Sequence, residues 1–438
     1  MPEELQRTYR GKAWREVDER PQVDGPERAI LIASLNCDAG EEADRIGEVR
    51  ELLRTAGAEV IETIVQHRDH PDPKLYLGRG RLDELKRRVD ELKPDLVAAE
   101  SALNAGQQRH LEDRLKVRVV DRTAIILDIF AQHARSAEGK LQVELAQLEY
   151  SYARQEGLWQ HLERLGGGIG TRGPGESQLE SDRRMVRNRI ATLRRRLADV
   201  ARTRDTQRRR RTGTELTRVA LAGYTNAGKS SLMNALAGAE VTVNDALFET
   251  LDATTRRVVA DGHELLLSDT VGFIRHLPHQ LVNAFSSTLE EVRDTDLILH
   301  VADASEDESR REAQAAAVVS VLEEIGAGDV PRLLVLNKID RLDADERHAL
   351  AHRHPDALRV SALTGEGLDD LRAALADAAR DRLVAVDVTI PFRLSALVSD
   401  VYAAGREVER EDTAEGTRMR ALMPPAAAGR LRAAIATG

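Results

Sequence analysis

The sequence predicts an α/β chain in four ordered parts after a flexible N-terminal segment (1–27). These are an N-terminal α/β domain (28–139), an antiparallel two-helix coiled-coil hairpin (140–211), a larger domain with a mostly parallel sheet (212–383) and a small C-terminal α+β domain (384–438). Three observations predict it. Strand-like apolar runs alternate with helical patterns on both sides of the chain's middle, which implies parallel α/β layers. The stretch between them carries apolar residues at heptad spacing. The last fifty-odd residues pattern as β-α-β-β-α. A length of 438 residues gives room for two to four hydrophobic cores.

Residues 1–27 are charged and show little periodicity. In the N-terminal domain the strand candidates are Ala29–Leu35, Val60–Val65, Leu96–Ala99 and Val117–Val120, and the helix candidates are Glu42–Ala56, Arg81–Leu92, Gln107–Leu115 and Thr123–Ala134. The hairpin rests on two stripes: Leu141, Leu145, Leu148, Tyr152, Trp159 and Leu162, then Val186, Ile190, Leu193, Leu197 and Val200. Between them GGGIGTRGPGES (166–177) holds six glycines in residues 166–175, a flexible tip. In the larger domain the strand candidates are Arg218–Ala222, Arg257–Ala260, Glu264–Ser268, Leu297–Ala302, Arg332–Leu336 and Leu358–Val360. Asp261-Gly262-His263 predicts a tight turn, and so an antiparallel pair, between the second and third. The C-terminal unit reads as Val386–Ile390, Leu394–Ala403, Glu407–Glu411, Arg418–Leu422 and Ala426–Ala436.

Composition bounds the function. No run of 18 apolar residues exists and the N-terminus lacks an apolar signal core, so a cytoplasmic protein without stable membrane association is expected. A single cysteine, Cys37, excludes an internal disulfide and a cysteine-rich zinc site; a small residue at a strand end is its simplest role. The net charge of −10 argues against nucleic-acid binding, but it hides an asymmetry. Residues 183–211 hold 13 arginines and two acids, Asp199 and Asp205, a local charge of +11 that leaves −21 on the rest. Such a segment suggests one docking surface for a polyanion. Phosphate contacts of this kind are strongly salt-dependent, and glycines at a protruding tip would let backbone approach RNA closely. A solvated helix face, or a basic linker over Arg208–Arg211, is the simpler alternative.

Three motifs carry chemistry. GYTNAGKS (223–230) fits G-x-x-x-x-G-K-[ST] between a strand and the helix at Ser231–Ala237, the setting of a P-loop. Gly223, Tyr224, Thr225, Asn226, Ala227 and Gly228 would wrap phosphate oxygens with backbone N–H groups at a helix N-terminus. Lys229 would reach the outer phosphates, and Ser230 would ligate Mg²⁺. DTVG (269–272) follows a strand: Asp269 can hold Mg²⁺ through water, and Gly272 N–H, flanked by Thr270 and Val271, can meet the γ-phosphate. NKID (337–340) follows another. Asp340 can pair with guanine's ring N–H and amino group, which adenine does not present in that arrangement. Asn337, Lys338 and Ile339 complete that loop, and Ser361, Ala362 and Leu363 fit the remaining base-contact loop. The ordered set describes a GTP site and makes 212–383 a P-loop GTPase domain. FETLD (Phe248, Glu249, Thr250, Leu251, Asp252) would be the first switch, with Thr250 as second Mg²⁺ ligand and Thr254 and Thr255 as competitors. Ordering that loop on γ-phosphate and Mg²⁺ would be the switch. Phe273 stands where many GTPases place a water-orienting glutamine, so no catalytic residue is assigned and turnover by the chain alone is expected to be slow. Asn226 offers a side-chain carbonyl near the phosphates and is a candidate for a K⁺ site, against the simpler role of stiffening the loop.

The P-loop, FETLD, DTVGFIRHLP (269–278) and above all GGGIGTRGPGESQLESDRR (166–184) resemble the HflX family of translational GTPases. PKLYLGRGRLDEL (73–85) and VVDRTAIILDIFAQHA (119–134) are similar to that family's N-terminal domain. The resemblance covers roughly 28–382; the last 50 residues are less diagnostic. It implies a GTPase that cycles between GTP and GDP and binds the large ribosomal subunit and its RNA. It also implies the splitting or rescue of stalled ribosomes, and a glycine-rich tip pushed towards the peptidyl-transferase region. The implied RNA contacts are Gly166, Gly167, Gly168, Gly170, Arg172, Gly173 and Gly175. The family also lacks the glutamine, and some members are reported to bind ATP through the N-terminal domain, although no phosphate loop follows Ala29–Leu35 here. A monomer is expected. The alternatives are a large-subunit assembly GTPase and a membrane-linked regulatory GTPase, for which no anchor is seen. A tRNA-modifying GTPase would carry a C-terminal catalytic cysteine, absent from …RLRAAIATG.

Overall fold

The computed structural model describes residues 25–165, 174–211, 216–238, 247–248, 254–275 and 291–437. Gly166, Gly167, Gly168, Gly170, Arg172 and Gly173 of the tip, and Glu249, Thr250, Leu251 and Asp252 of the FETLD segment, lie outside them. The chain forms two compact units: Met1–Ile129 with Ser151–Thr171, and Phe130–Tyr150 with Arg172–Gly438.

The first unit holds a four-stranded parallel sheet in the order β2-β1-β3-β4, from β1 (Glu27–Leu35), β2 (Ala58–His67), β3 (Leu96–Ala99) and β4 (Arg118–Asp121). All four expected strands are present, each longer or shifted by a residue or two except β3. Strand β1 is apolar without alternation because a central parallel strand is covered on both faces. Its helices are α1 (Ala39–Thr55), α2 (Arg79–Leu92), α3 (Ala105–Leu115) and α4 (Arg122–His133). Helix α1 starts where the Asp38 carboxylate accepts the Glu41 N–H at 2.9 Å, and α3 starts on a reciprocal Asn104–Gln107 capping box. The core joins Ile30, Ile32, Val97 and Val119 of the sheet to Leu85 and Leu111 of the helices. Cys37 sits just past the end of β1, half-buried, its thiol pushed up by burial and by Glu41.

Two long helices follow, α5 (Ala137–Leu165) and α6 (Pro174–Arg211). Within the second unit they are tied by Glu144, which accepts Arg189 Nε and Nη2 at 2.8 and 2.9 Å, and by Glu149, which accepts Arg194 at 2.7 Å. In the α6 stripe Val186, Ile190 and Leu193 are buried as expected, while Leu197 and Val200 are half-exposed. The α5 stripe differs where its side chains are described; those of Trp159 and Leu162 lie outside the described residues. Gln142, Val143, Leu145 and Ala146 are buried while Leu141 and Leu148 are half-exposed. That face is wider than a coiled-coil seam, so the heptad pattern misplaces it there. Gly175, assigned to the tip from its sequence, lies in the first turn of α6. Pro174 opens that helix, where its missing N–H leaves no bond unmade.

The second unit continues with a six-stranded sheet in the order β10-β9-β8-β5-β7-β6. Its strands are β5 (Thr217–Gly223), β6 (Thr254–Ala260), β7 (His263–Asp269), β8 (Leu297–Asp303), β9 (Arg332–Asn337) and β10 (Leu358–Arg359). All neighbours are parallel except β6–β7. Asp261 and Gly262, at φ of 43° and 79°, make the two-residue turn that joins this antiparallel pair, with Ala260 paired to His263. The described helices are α7 (Lys229–Ala237), α8 (Glu308–Glu324), α9 (Ala344–Arg353) and α10 (Leu368–Asp381). Leu232, Met233 and Leu236 of α7 and Leu371 and Leu375 of α10 bury against Val219, Leu265, Leu267 and Leu299. The three last strands, β11 (Val384–Ile390), β12 (Arg406–Asp412) and β13 (Thr417–Met423), form an antiparallel sheet ordered β11-β13-β12. With α11 (Ala396–Ala404) and α12 (Pro425–Thr437) they give the expected β-α-β-β-α order around Val386, Ile390, Val401, Met419 and Leu431.

Candidate functional site

Strands β5, β7, β8 and β9 run parallel, so their carboxyl ends, and the loops that leave them, meet at one edge of the sheet. This is where open α/β sheets bind ligands. The P-loop leaves β5 there. Gly223 is the strand's last residue, and a Cβ on it would stand 2.2 Å from the Val301 carbonyl oxygen of β8. Its smallness therefore serves the packing of two strands, a use the motif alone does not reveal. Asn226 and Gly228 take left-handed backbone at φ of 61° and 87°, and a Cβ on Gly228 would stand 2.3 Å from Asn337 Nδ2. Thr225 N donates to Phe273 O at 2.8 Å and Phe273 N to Gly223 O at 3.1 Å, so the P-loop and the DTVG segment form one backbone unit. Tyr224 Oη accepts the Arg275 N–H at 2.9 Å.

Lys229 is 7% exposed and donates to the carbonyls of Gly223 at 3.1 Å and Tyr224 at 2.9 Å. Burial lowers its pKa to about 8, with Asp269 opposing the shift. Ser230 Oγ donates to Asp269 Oδ2 at 2.6 Å. The two oxygens expected to serve a divalent cation are therefore adjacent, one a neutral hydroxyl and one a carboxylate, a hard-oxygen pair of the kind Mg²⁺ takes. Thr270 Oγ1 donates to Leu221 O at 2.7 Å, and Val271 is buried. A Cβ on Gly272 would lie 2.9 Å from Thr225 Cγ2 and 3.2 Å from Lys229 Nζ, so this backbone runs close beside the P-loop lysine.

The third motif joins the same edge. Asn337 Nδ2 donates to Ala227 O at 2.9 Å and its Oδ1 accepts the Ala362 N–H at 3.0 Å, so one amide ties the P-loop to the loop after β10. Ser361 Oγ donates to Asp340 Oδ1 at 2.5 Å and accepts the Thr364 N–H at 3.1 Å. Ile339 is buried, and its N–H meets Val360 O at 3.3 Å. Leu363 is 86% exposed. The sheet thus brings together Gly223–Ser230, Asp269–Gly272, Asn337–Asp340 and Ser361–Ala362.

Other assignments stand apart. The Phe273 side chain is 1% exposed, a core residue with no group to offer a water. Phe248 is 2% exposed, and its ring meets Phe130 edge-on, centroids 4.7 Å apart at 86°. Its side chain is a packing group. Thr254 and Thr255 belong to β6, paired with Asp269 and Ser268, and the Thr255 hydroxyl is 2.9 Å from Ser268 Oγ. Asp303, unassigned from the sequence, bonds Lys338 Nζ at 2.7 Å. An acid at the carboxyl end of a strand next to β9 was the available signal.

Residues 43–131 match the model described as GTP-binding GTPase N-terminal and residues 133–211 the GTP-binding GTPase Middle Region. Residues 218–338 match the 50S ribosome-binding GTPase model and 348–431 the HflX C-terminal domain, so the less diagnostic C-terminal stretch has a match too. The GTPase HflX of Caldanaerobacter subterraneus subsp. tengcongensis is 44% identical over 396 residues, 90% of each chain. That of Escherichia coli is 43% identical over 398 residues, 89% of this chain and 91% of its own. A GTP-binding protein from Sulfolobus solfataricus, solved with GDP, is 25% identical at a TM-score of 0.42, over 81% of this chain and 99% of that one. Given consecutive family matches along the chain and relatives of this identity over nearly their whole length, this protein belongs to the HflX family of GTPases and hydrolyses GTP.

Proposed function

We propose that this GTPase binds the large ribosomal subunit in its GTP form, splits or rescues stalled ribosomes, and leaves after hydrolysis. The observation that carries the proposal is the family match over 218–338, whose description is 50S ribosome-binding GTPase, joined to a basic helix beside it. On α6 the buried stripe of Val186, Ile190 and Leu193 turns Arg184, Arg187, Arg195 and Arg196 outwards. Such a face suits phosphate. The glycine-rich tip, Gly166 to Gly173 with Arg172, would be the RNA-contacting end.

In the nucleotide site, N–H groups of Tyr224 to Lys229 would surround the phosphates, and Lys229 would exchange its two carbonyls for phosphate oxygens. Ser230 and Asp269 would hold Mg²⁺, whose chemistry is to neutralise charge between the outer phosphates; Thr250 would add a second hydroxyl. Asp340, steadied by Ser361, would read the guanine edge. The Phe273 backbone bonds Gly223 and Thr225 while its ring is buried, so the water would be oriented by another group, which the ribosome would complete. Asn226, exposed at the loop's crest, would face a K⁺ ion; equal turnover in Na⁺ and K⁺ would remove that role.

The test is sucrose-gradient sedimentation of ribosomes with the protein and GTP, GDP or a non-hydrolysable analogue. Splitting with GTP or the analogue but not GDP is expected. Intact ribosomes under all three conditions would defeat the proposal, and subunit loss only during growth would favour a role in assembly.

A further inference from the structure

Asp303 closes β8 directly beside Asn337 in the parallel register. Its Oδ2 bonds Lys338 Nζ at 2.7 Å, with the two side chains 10% and 14% exposed. Its Oδ1 accepts Ser305 N at 2.9 Å and Ser305 Oγ at 2.6 Å, so the carboxylate is itself held in place. The loop carrying it is clamped at both ends. Ala304 N donates to Asn337 O at 2.7 Å. The buried Arg311 donates to Ala304 O at 3.0 Å, Glu306 O at 2.9 Å and Glu308 Oε2 at 2.6 Å. Lys338 therefore leaves a left-handed backbone position, φ 67°, and ends on a fixed anion. A free lysine keeps wide rotamer freedom on its four-carbon stem, and a lysine bonded at its tip does not.

We propose that Asp303 is a positioning residue for base recognition: it fixes Lys338 so that the methylene stem forms a preset wall of the guanine pocket, with Arg311 holding the Asp303 loop. This rests on the reading of Asn337–Asp340 as the base site. It assigns Asp303 a different task from Asp340. Asp340 reads the edge of guanine, whereas a wall acts on the plane of any purine. Removing Asp303 should therefore weaken GDP and IDP by the same factor.

The experiment measures dissociation of fluorescent GDP from the full chain by stopped flow, with thermal melts to confirm folding. Asp303→Asn should speed release about tenfold, the scale of one charge-assisted contact. Asp303→Glu should keep most of the slow release. Lys338→Met keeps the stem and removes the charge; in that background Asp303→Asn should add less than about twofold, because coupled residues are not additive. Unchanged release in Asp303→Asn, or fully additive effects of the two changes, would overturn the proposal. Asp340→Asn is the control: it should weaken GDP and favour XDP. Unchanged GDP binding there would defeat the base site itself, a result distinguishable from additivity at Asp303.

Discussion

Buried Lys229 holds its proton less tightly than a free lysine, with a pKa of about 8 against an ordinary 10.5. Between those values the unfolded chain keeps a proton that the folded, nucleotide-free chain loses, so this group's contribution to stability rises with pH through that window. Below about pH 8 the fold carries the cost of a buried ammonium. Phosphate oxygens would favour the charged form, so nucleotide binding near pH 8 should take up part of a proton. Calorimetry of GDP binding in two buffers of different ionisation enthalpy should give different heats; equal heats would rule this out. Lys229→Ala should lower GDP affinity by on the order of a hundredfold or more, read by fluorescent-GDP titration. The residue types of this site were legible because phosphate, magnesium and guanine each demand a particular donor or acceptor. The burial of Phe273 was not, since an aromatic after DTVG is compatible with either a core or a surface position.

Among the elements, the positions of the parallel strands were the most legible, though not their exact ends, because a parallel strand covered on both faces leaves an uninterrupted apolar run. The α5 face was the least. Heptad spacing assumes a single partner seam, and Gln142, Val143 and Ala146 are buried together with Leu145 instead. Gly223→Ala would drive a methyl into the Val301 carbonyl and should destabilise the fold by about 2–4 kcal/mol, seen as a lowered Tm. Gly228→Ala meets both a positive φ and Asn337 Nδ2, and so should loosen the amide that ties P-loop to base loop. Its signature is faster GDP release rather than a large loss of Tm; a change in Tm alone would contradict that division.

At the level of the whole molecule, the proposed docking of the basic α6 face on ribosomal RNA would be coupled to turnover in the GTP site. Adding large subunits should raise the GTPase rate at least about tenfold, the low end of what a supplied stabilising group can give. A flat response would remove the ribosome as the source of the missing water-orienting group. Deleting 166–175 should leave GDP affinity unchanged and abolish splitting; intact splitting would free the tip from its proposed role.

The sequence alone determined the motif order, the alternation of strands and helices, the antiparallel turn at Asp261-Gly262 and the charge asymmetry. These are local facts, encoded by side-chain period, turn sterics and residue chemistry. The tertiary structure decided which of them meet. Parallel strand order brings Asn337 to Ala227 across 110 residues and sets Asp303 beside Asn337. It also explains Gly223 by a strand contact rather than by a phosphate, because the space around a Cβ depends on a neighbour that no local spacing names.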